Sequence, residues 1–272
     1  MQQKLIAIDL DGTTLNNDSA LTPKTITVLQ QVEQLGHKVV IVTGRPYRNS
    51  KEIYKQLNMH GPLVNFNGAL CHIPGDDSWN GAYNETLSKD IVSGIVELFP
   101  QTTANMMTIE GKNCLYATQL EFPPSPYFSP KTPPILFESV EKLEEQTTAI
   151  TLFAETEKQE FIKEKLLSNY PGDIDVRTWG GILPCLEVVR TGVHKAKGVS
   201  HVAGIYGIDR KDILAFGDED NDKEMIEYAG HGVAMNNAIP ELKAIANDIT
   251  EFTNHDDGLA IYLQNYFQLN KM

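Results

Sequence analysis

Short apolar runs alternate with segments of helical period over roughly the first 80 residues. Leu5 to Ile8 is continuously apolar, the pattern of a strand covered on both faces, as in parallel sheets. A helix is predicted from Pro23 to Leu35, with Thr22 as N-cap, Pro23 in the first turn and Gly36 just past the end. Strand Val39 to Val42, helix Tyr47 to Leu57 and the run Leu63 to Phe66 follow. This β-α-β-α-β order implies a parallel sheet with right-handed crossovers. The end of the chain repeats the pattern with helix Lys195 to Tyr206, strand Ile213 to Phe216, helix Lys223 to Ala229, strand Gly232 to Met235, and helices Pro240 to Ala246 and Gly258 to Leu269. Between about 82 and 189 the texture changes. Helical Ser88 to Phe99 and Lys158 to Ser168 are mixed with strand-like Asn113 to Ala117, Ala149 to Ala154 and Leu186 to Val189. The fold class expected is therefore α/β, a Rossmann-like parallel-sheet core formed by residues 1–81 and 190–272, with an α+β domain, residues 82–189, inserted into it. Within the insert, "PPSPYFSPKTPP" (residues 123–134) holds six of the fourteen prolines and reads as a stiff loop rather than an SH3-type ligand.

Composition narrows the function. A formal net charge of −13 disfavours nucleic acid and anionic membranes as partners. A small anionic substrate would need a local group of cationic or N–H donors to overcome that field. No apolar run approaches the roughly 18 to 20 residues of a membrane helix. The N-terminus offers only Leu5 to Ile8 before an acid, so no signal peptide is expected, and the expectation is a cytoplasmic monomer or homodimer. Cys71, Cys114 and Cys185 are far apart and form no CxxC, which suits reduced structural thiols.

Active sites of open parallel sheets lie beyond the carboxyl ends of the strands. Three such ends carry polar groups: Asp9 and Asp11 after the first strand, Thr43, Gly44 and Arg45 after the second, and "DEDND", Asp218 to Asp222, after Phe216. Side chains two apart on a strand share a face, so Asp9 and Asp11 are expected to repel unless a cation or a shared proton lies between them. Calcium loops are excluded. Counted from Asp9, the sixth and twelfth positions are Thr14 and Ala20; counted from Asp218 they are Lys223 and Ala229. Phosphoryl transfer fits instead, since it demands charge neutralisation, positioning and an in-line nucleophile. Asp9 is the candidate nucleophile and Asp11 the acid/base, with Asp218 joining them around Mg²⁺. The Thr43 hydroxyl, the Gly44 N–H and Asn221 are candidate hydrogen-bond donors to phosphate, and Lys195 supplies a charge. Arg45 and Asp222 are further candidates.

Asp9-Leu10-Asp11-Gly12-Thr13 resembles the DxDGT signature of haloacid dehalogenase-like hydrolases, with Thr43, Lys195 and Gly217-Asp218 to Asn221-Asp222 as the later motifs. "TGRP", "NGA" at Asn67 to Ala69, "GVHK", "AFGDEDND" and "GVAMNNA" together resemble the Cof-type subfamily, phosphatases whose large α+β cap (C2B type) is inserted between motifs two and three. The resemblance implies that Asp9 is nucleophile and metal ligand, and that Asp11 is general acid/base and holds Mg²⁺ through its backbone carbonyl. It further implies that the Leu10 amide helps hold phosphate, and that Lys195 rather than Lys197 is the motif lysine. Ala196 stands where the family usually has glycine, and Asn236 where "AMGNA" has it. The activity implied is Mg²⁺-dependent hydrolysis of small phosphate esters, sugar phosphates above all. Cap residues such as Tyr116, Trp179 or Glu187 are candidates for specificity.

The alternatives are a phosphotransferase or phosphomutase of the same fold and a non-catalytic phospho-ligand sensor. The sensor does not need the intact Asp9, Asp11, Lys195 and Asp218. Dehydrogenase and P-loop readings lack GxGxxG after the first strand and GxxxxGK[ST] anywhere. His194 and His201, without HExxH or carboxylate partners, read as structural or solvent-facing, and core packing is the favoured reading for both Trp79 and Trp179.

Overall fold

The computed structural model describes residues 2–122, 133–179 and 183–269. Residues 123–132, most of the proline-rich stretch expected to be a stiff loop, and residues 180–182 lie outside the described residues. Two compact units emerge. One comprises residues 1–46, 50–83 and 194–272, the other 47–49 and 84–193.

Among the described residues, the first unit is built on an eight-stranded sheet. Its centre is β1 (Leu5–Ile8), flanked by β2 (Lys38–Val42) on one side and by the late strand Ile213–Gly217 on the other. Leu5, Ile6, Ala7 and Ile8 have no exposed surface. Each large apolar side chain buried here contributes about 1.5–3 kcal/mol. The chain runs outward from β1 through β2 to Leu63–Asn65, and later returns to the other side of β1 through Ile213–Gly217, His231–Ala234 and Asp248–Ile249. That reversal is a topological switch point. Register brings the relevant strand ends level, because Ile8 lies opposite both Phe216 and Ile41. The residue after Ile8 is Asp9.

Local chemistry sets the helix starts. Thr22 accepts from the Thr25 N–H at 3.1 Å and caps Pro23–Gln34. His194 caps Lys195–Tyr206 by accepting from the Lys197 N–H at 3.3 Å, and His201 Nε2 lies 2.7 Å from the Gly81 carbonyl, so both histidines have structural partners. Leu70–His72 pairs antiparallel to Leu63–Asn65, so the sheet is mixed at that edge. Three residues are too few to show a period, and this strand is absent from the apolar pattern.

The second unit has a six-stranded, mainly antiparallel sheet among the described residues. Helices Lys89–Leu98 and Thr156–Asn169 cover one face, packing Val92, Ile95, Ile162 and Leu166 on Met107, Ile109, Ile150, Leu152, Leu186 and Val188. Strand Met106–Glu110 is buried at every position and shows no alternation, whereas Ile174–Trp179 alternates, with Ile174 and Val176 buried and Asp175 and Arg177 partly exposed, and is a strand that the reading of apolar runs passed over. Tyr116 belongs to this buried cluster, and its hydroxyl accepts from the Glu144 N–H at 3.0 Å. It serves the core of this unit, so its candidacy as a specificity residue is corrected. The three cysteines are free thiols. Among the described residues no helix is long and apolar enough to cross a membrane.

His37, just before β2, is buried with its ring 4.5 Å from that of Phe267, and its Nδ1 accepts from the Lys4 N–H at 3.1 Å. Burial, reinforced by the Lys4 charge, lowers its pKa from the ordinary 6.5. The neutral ring therefore stabilises the fold above that pH, and the contribution is lost as pH falls below it, because the unfolded chain then binds the proton more readily. His37→Asn keeps an acceptor for Lys4 but does not titrate. Its stability deficit relative to the parent is expected to shrink between about pH 7 and about pH 5 in urea unfolding. A deficit independent of pH would refute this.

Candidate active site

The apolar strand β1 stops at Ile8, and the Asp9 N–H still bonds the Phe216 carbonyl at 3.1 Å, so Asp9 leaves the sheet at a fixed point. Its carboxylate is buried. Lys195, at the first position of its helix and fully buried, places Nζ 2.7 Å from Asp9 Oδ1 and 2.6 Å from Asp222 Oδ1. Asp222 Oδ2 in turn accepts from the N–H groups of Asp218 and Glu219 at 3.0 and 3.1 Å. Lys197 is half-exposed, and Lys195 is the lysine that reaches these carboxylates.

Carboxylate oxygens of Asp9, Asp218 and Asp222 lie within 4.8 Å of one another. Desolvation first, then the neighbouring carboxylates, pushes Asp218 up to about 8, and Thr13 and Lys195 offset only part of that. Desolvation likewise pushes Asp9 up to about 7 against the pull of Lys195. Lys195 itself is driven well above its usual range by Asp222 and Asp9, which outweigh its own burial. The donor set suits a hard divalent cation. Asp222 has both oxygens hydrogen-bonded, whereas Lys195 takes only Oδ1 of Asp9 and Thr13 only Oδ1 of Asp218, at 2.7 Å. Among the described residues no donor reaches Oδ2 of Asp9 or Asp218, so these two are the carboxylates open to a metal, and Asp222 is the one that orients Lys195.

Asp11 behaves differently from expectation. The chain turns at Leu10–Thr14, with Gly12 at φ 72°, and the Asp11 carboxylate meets Arg45 through two bonds, Nε–Oδ2 at 2.7 Å and Nη2–Oδ1 at 2.5 Å. The like-charge crowding of Asp9 and Asp11 is therefore relieved by a guanidinium on the Asp11 side rather than by a cation between two side chains. Asp11 is 38% exposed in its side chain and is not among the clustered carboxylates. A Cβ at Gly12 would lie 2.1 Å from Asp218 Oδ2, so a side chain there would push that carboxylate aside, and φ at 72° favours glycine in its own right.

The second strand end contributes Thr43, fully buried, whose Oγ1 accepts from the Arg45 N–H at 3.1 Å. Gly44 follows against the amide of Asn67, and Asn67 Oδ1 accepts from Asn221 Nδ2 at 2.9 Å. Leu10 opens the turn, and its carbonyl accepts from the Leu15 N–H at 2.8 Å. Residues outside the sequence-derived set join the site. Thr13 holds Asp218, Asn237 Nδ2 donates to the Gly12 carbonyl at 2.8 Å, and Asn67 links Gly44 to Asn221. Each lies inside a motif that the sequence displays, yet nothing in spacing alone marks those side chains as contacts.

The family profile of haloacid dehalogenase-like hydrolases matches residues 6–263. The chain is 38% identical over 266 residues to 5-amino-6-(5-phospho-D-ribitylamino)uracil phosphatase YitU of Bacillus subtilis, covering 97% of this chain and 98% of that protein. It is 26% identical to the HMP-PP phosphatase of Serratia proteamaculans, over 97% of this chain and 96% of the relative. The crystal structure of a haloacid dehalogenase-like hydrolase from Bacteroides thetaiotaomicron shares the fold with a TM-score of 0.84 at 23% identity, covering 97% of this chain and all of the other. The chain belongs to the haloacid dehalogenase-like hydrolases, as a Cof-type phosphatase, a phosphoric monoester hydrolase.

Removing Lys195 leaves Asp9 and Asp222 buried without their counter-charge. Lys195→Met is expected to lower the unfolding free energy by about 3–5 kcal/mol in metal-free buffer at neutral pH. Denaturant unfolding of parent and variant measures it, and a loss under about 1 kcal/mol would mean that the lysine does not carry this charge balance.

Proposed function

We propose that this phosphatase is Mg²⁺-dependent, that it acts on small phosphorylated metabolites whose phosphate sits on a sugar or sugar-alcohol chain, and that Asp9 is its nucleophile. The observation that carries the reading is the buried Asp9 carboxylate, gripped by Lys195 at 2.7 Å at the end of the central strand and grouped with Asp218. Such a carboxylate is fixed in place, with its charge held against burial. Bound Mg²⁺, held by Asp9, Asp218 and the backbone carbonyl of Asp11, supplies the positive charge that lets a phosphate dianion approach three carboxylates.

In the first step an oxygen of Asp9 attacks phosphorus, the bond to the ester oxygen breaks, and Asp11 gives the departing alkoxide its proton. Water then attacks the aspartyl phosphate, Asp11 takes the water's proton, and inorganic phosphate leaves with Asp9 restored. Arg45 holds both oxygens of Asp11. An entering phosphate competes for that guanidinium, which frees an oxygen of Asp11 for the proton. The Thr43 hydroxyl, the N–H groups of Leu10 and Gly44, the Asn221 amide and Lys195 share the remaining phosphate oxygens.

The B. subtilis relative is named for a phosphorylated ribitylamino-pyrimidine, and 38% identity over nearly the whole chain puts that ester first among substrates to test. The acidic chain suits a small-molecule substrate and neither nucleic acid nor a membrane. We place the enzyme in the cytoplasm, as a monomer or homodimer.

Phosphate release from a panel of sugar, sugar-alcohol, nucleotide and cofactor phosphates tests the reading. Turnover is expected with MgCl₂, to vanish with chelator, and to fall by about 10³-fold or more in Asp9→Asn. Undiminished turnover in that variant would rule out Asp9 as nucleophile. Asp218→Asn is expected to raise the Mg²⁺ concentration needed for half-maximal rate by about tenfold or more, the loss of a charged ligand. An unchanged Mg²⁺ requirement would remove Asp218 from the metal site.

A further inference from the structure

Phe66, Asn67 and Gly68 have φ values of 50°, 54° and 104°, three successive residues in the left-handed region, and all three are buried. For a residue as bulky as phenylalanine this is an outlier, and such strain persists only where the surroundings over-determine it. The surroundings here are the candidate phosphate-binding elements. The Asn67 N–H bonds the Thr43 carbonyl at 3.0 Å, and the Asn65 amide bonds the Arg45 carbonyl at 2.9 Å. Gly68 packs so closely on the His194 carbonyl that a Cβ would sit 2.3 Å from it, one residue before Lys195. The Tyr83 hydroxyl fastens the far end, donating to the Gly68 carbonyl at 2.8 Å.

From this turn we infer that Asn67 is a positioning residue of the phosphate pocket, a conclusion that rests on the function proposed above. Its Oδ1 holds Asn221 Nδ2 at 2.9 Å, and its Oδ1 and Nδ2 would lie only 3.1 and 3.3 Å from a Cβ on Gly44, so the amide packs tightly on the Gly44 backbone. One carboxamide therefore sets both the orientation of the Asn221 amide and the close approach of the Gly44 backbone. If only the backbone shape mattered, glycine would serve best at φ 54°. What asparagine adds is the side chain, and asparagine is among the few non-glycine residues that tolerate this region.

The test uses Asn67→Gly, which relieves the backbone strain while removing the amide, together with Asn221→Ala and the double variant. Melting temperature, kcat, KM and the inhibition constant of inorganic phosphate are measured for each in the full chain. The expected result for Asn67→Gly is a melting temperature at or above the parent's, with KM and the phosphate inhibition constant raised about fivefold and kcat changed less. The double variant is expected to bind phosphate more weakly than Asn221→Ala alone by less than the full Asn67→Gly factor, because only the Gly44 part of the effect remains to be lost. The inference is overturned if Asn67→Gly leaves phosphate binding unchanged whatever its stability, or if the effects of the two substitutions simply multiply. Asp9→Asn separates the two levels. If it is inactive while Asn67→Gly binds phosphate like the parent, only this inference fails; if it retains turnover, the proposed nucleophile fails first.

Discussion

The ammonium of Lys195, buried between Asp9 and Asp222, is the interaction on which the rest of the site depends. A lone charge moved into such a place would lose several kcal/mol of hydration, and each of the three ions offsets that loss for the others. The balance is deliberately incomplete. Asp218 adds a third carboxylate to the group, so one ammonium leaves two negative charges uncompensated when all are ionised. Burial first, and the neighbouring carboxylates after it, raise the proton affinities of Asp9 and Asp218 to about 7 and about 8. A site with two surplus negative charges and two open carboxylate oxygens is matched by a divalent cation, and without one it is matched by protons.

The sheet makes this arrangement possible. Parallel strands in register end at the same level, so groups that lie far apart in the chain, Asp9, Thr43 and Asp218, emerge together beyond Ile8, Val42 and Gly217. Lys195 comes from a helix that starts beside the same edge, and its starting point is set by the His194 cap and by the close contact of Gly68 with His194. Chain reversal at β1 opens the crevice, and the apolar strands below keep water out of the bases of the carboxylates.

Much of this was legible in the residues. The apolar runs of the first unit have the length and β-branched content of buried strands, and Thr22, Gly36 and Gly207 mark helix ends, so boundaries fell within a residue or two. Leu70–His72 is too brief to show a period and Met106–Glu110 is buried at every position, without alternation, so neither was legible, whereas the alternation of Ile174–Trp179 was there to be read. For the site, spacing pointed to Asp9, Lys195 and Asp218 but not to what their side chains would meet. The pairing of Asp11 with Arg45 depends on how the chain bends through Gly12, and the bond of Asn67 to Asn221 depends on a left-handed turn. Neither is written in a period of two or of 3.6 residues.

Two aspartates two residues apart thus end in unlike surroundings. Asp9 is buried, its N–H bonded to the Phe216 carbonyl and its carboxylate to a lysine that itself has a second anchor in Asp222, so both its backbone and its side chain are fixed. Asp11 is 38% exposed and held by an arginine whose side chain comes from a loop outside the strand. The role of nucleophile proposed for Asp9 benefits from the first condition, since a fixed carboxylate needs no reorganisation at the moment of attack. The acid/base role proposed for Asp11, exchanging a proton first with an alcohol and then with water, benefits from the second, because it needs access to solvent and a partner that can yield. Gly12 is the hinge of this division. With no Cβ to push Asp218 aside and φ at 72°, it turns the chain between the two carboxylates and keeps them from sharing one fate.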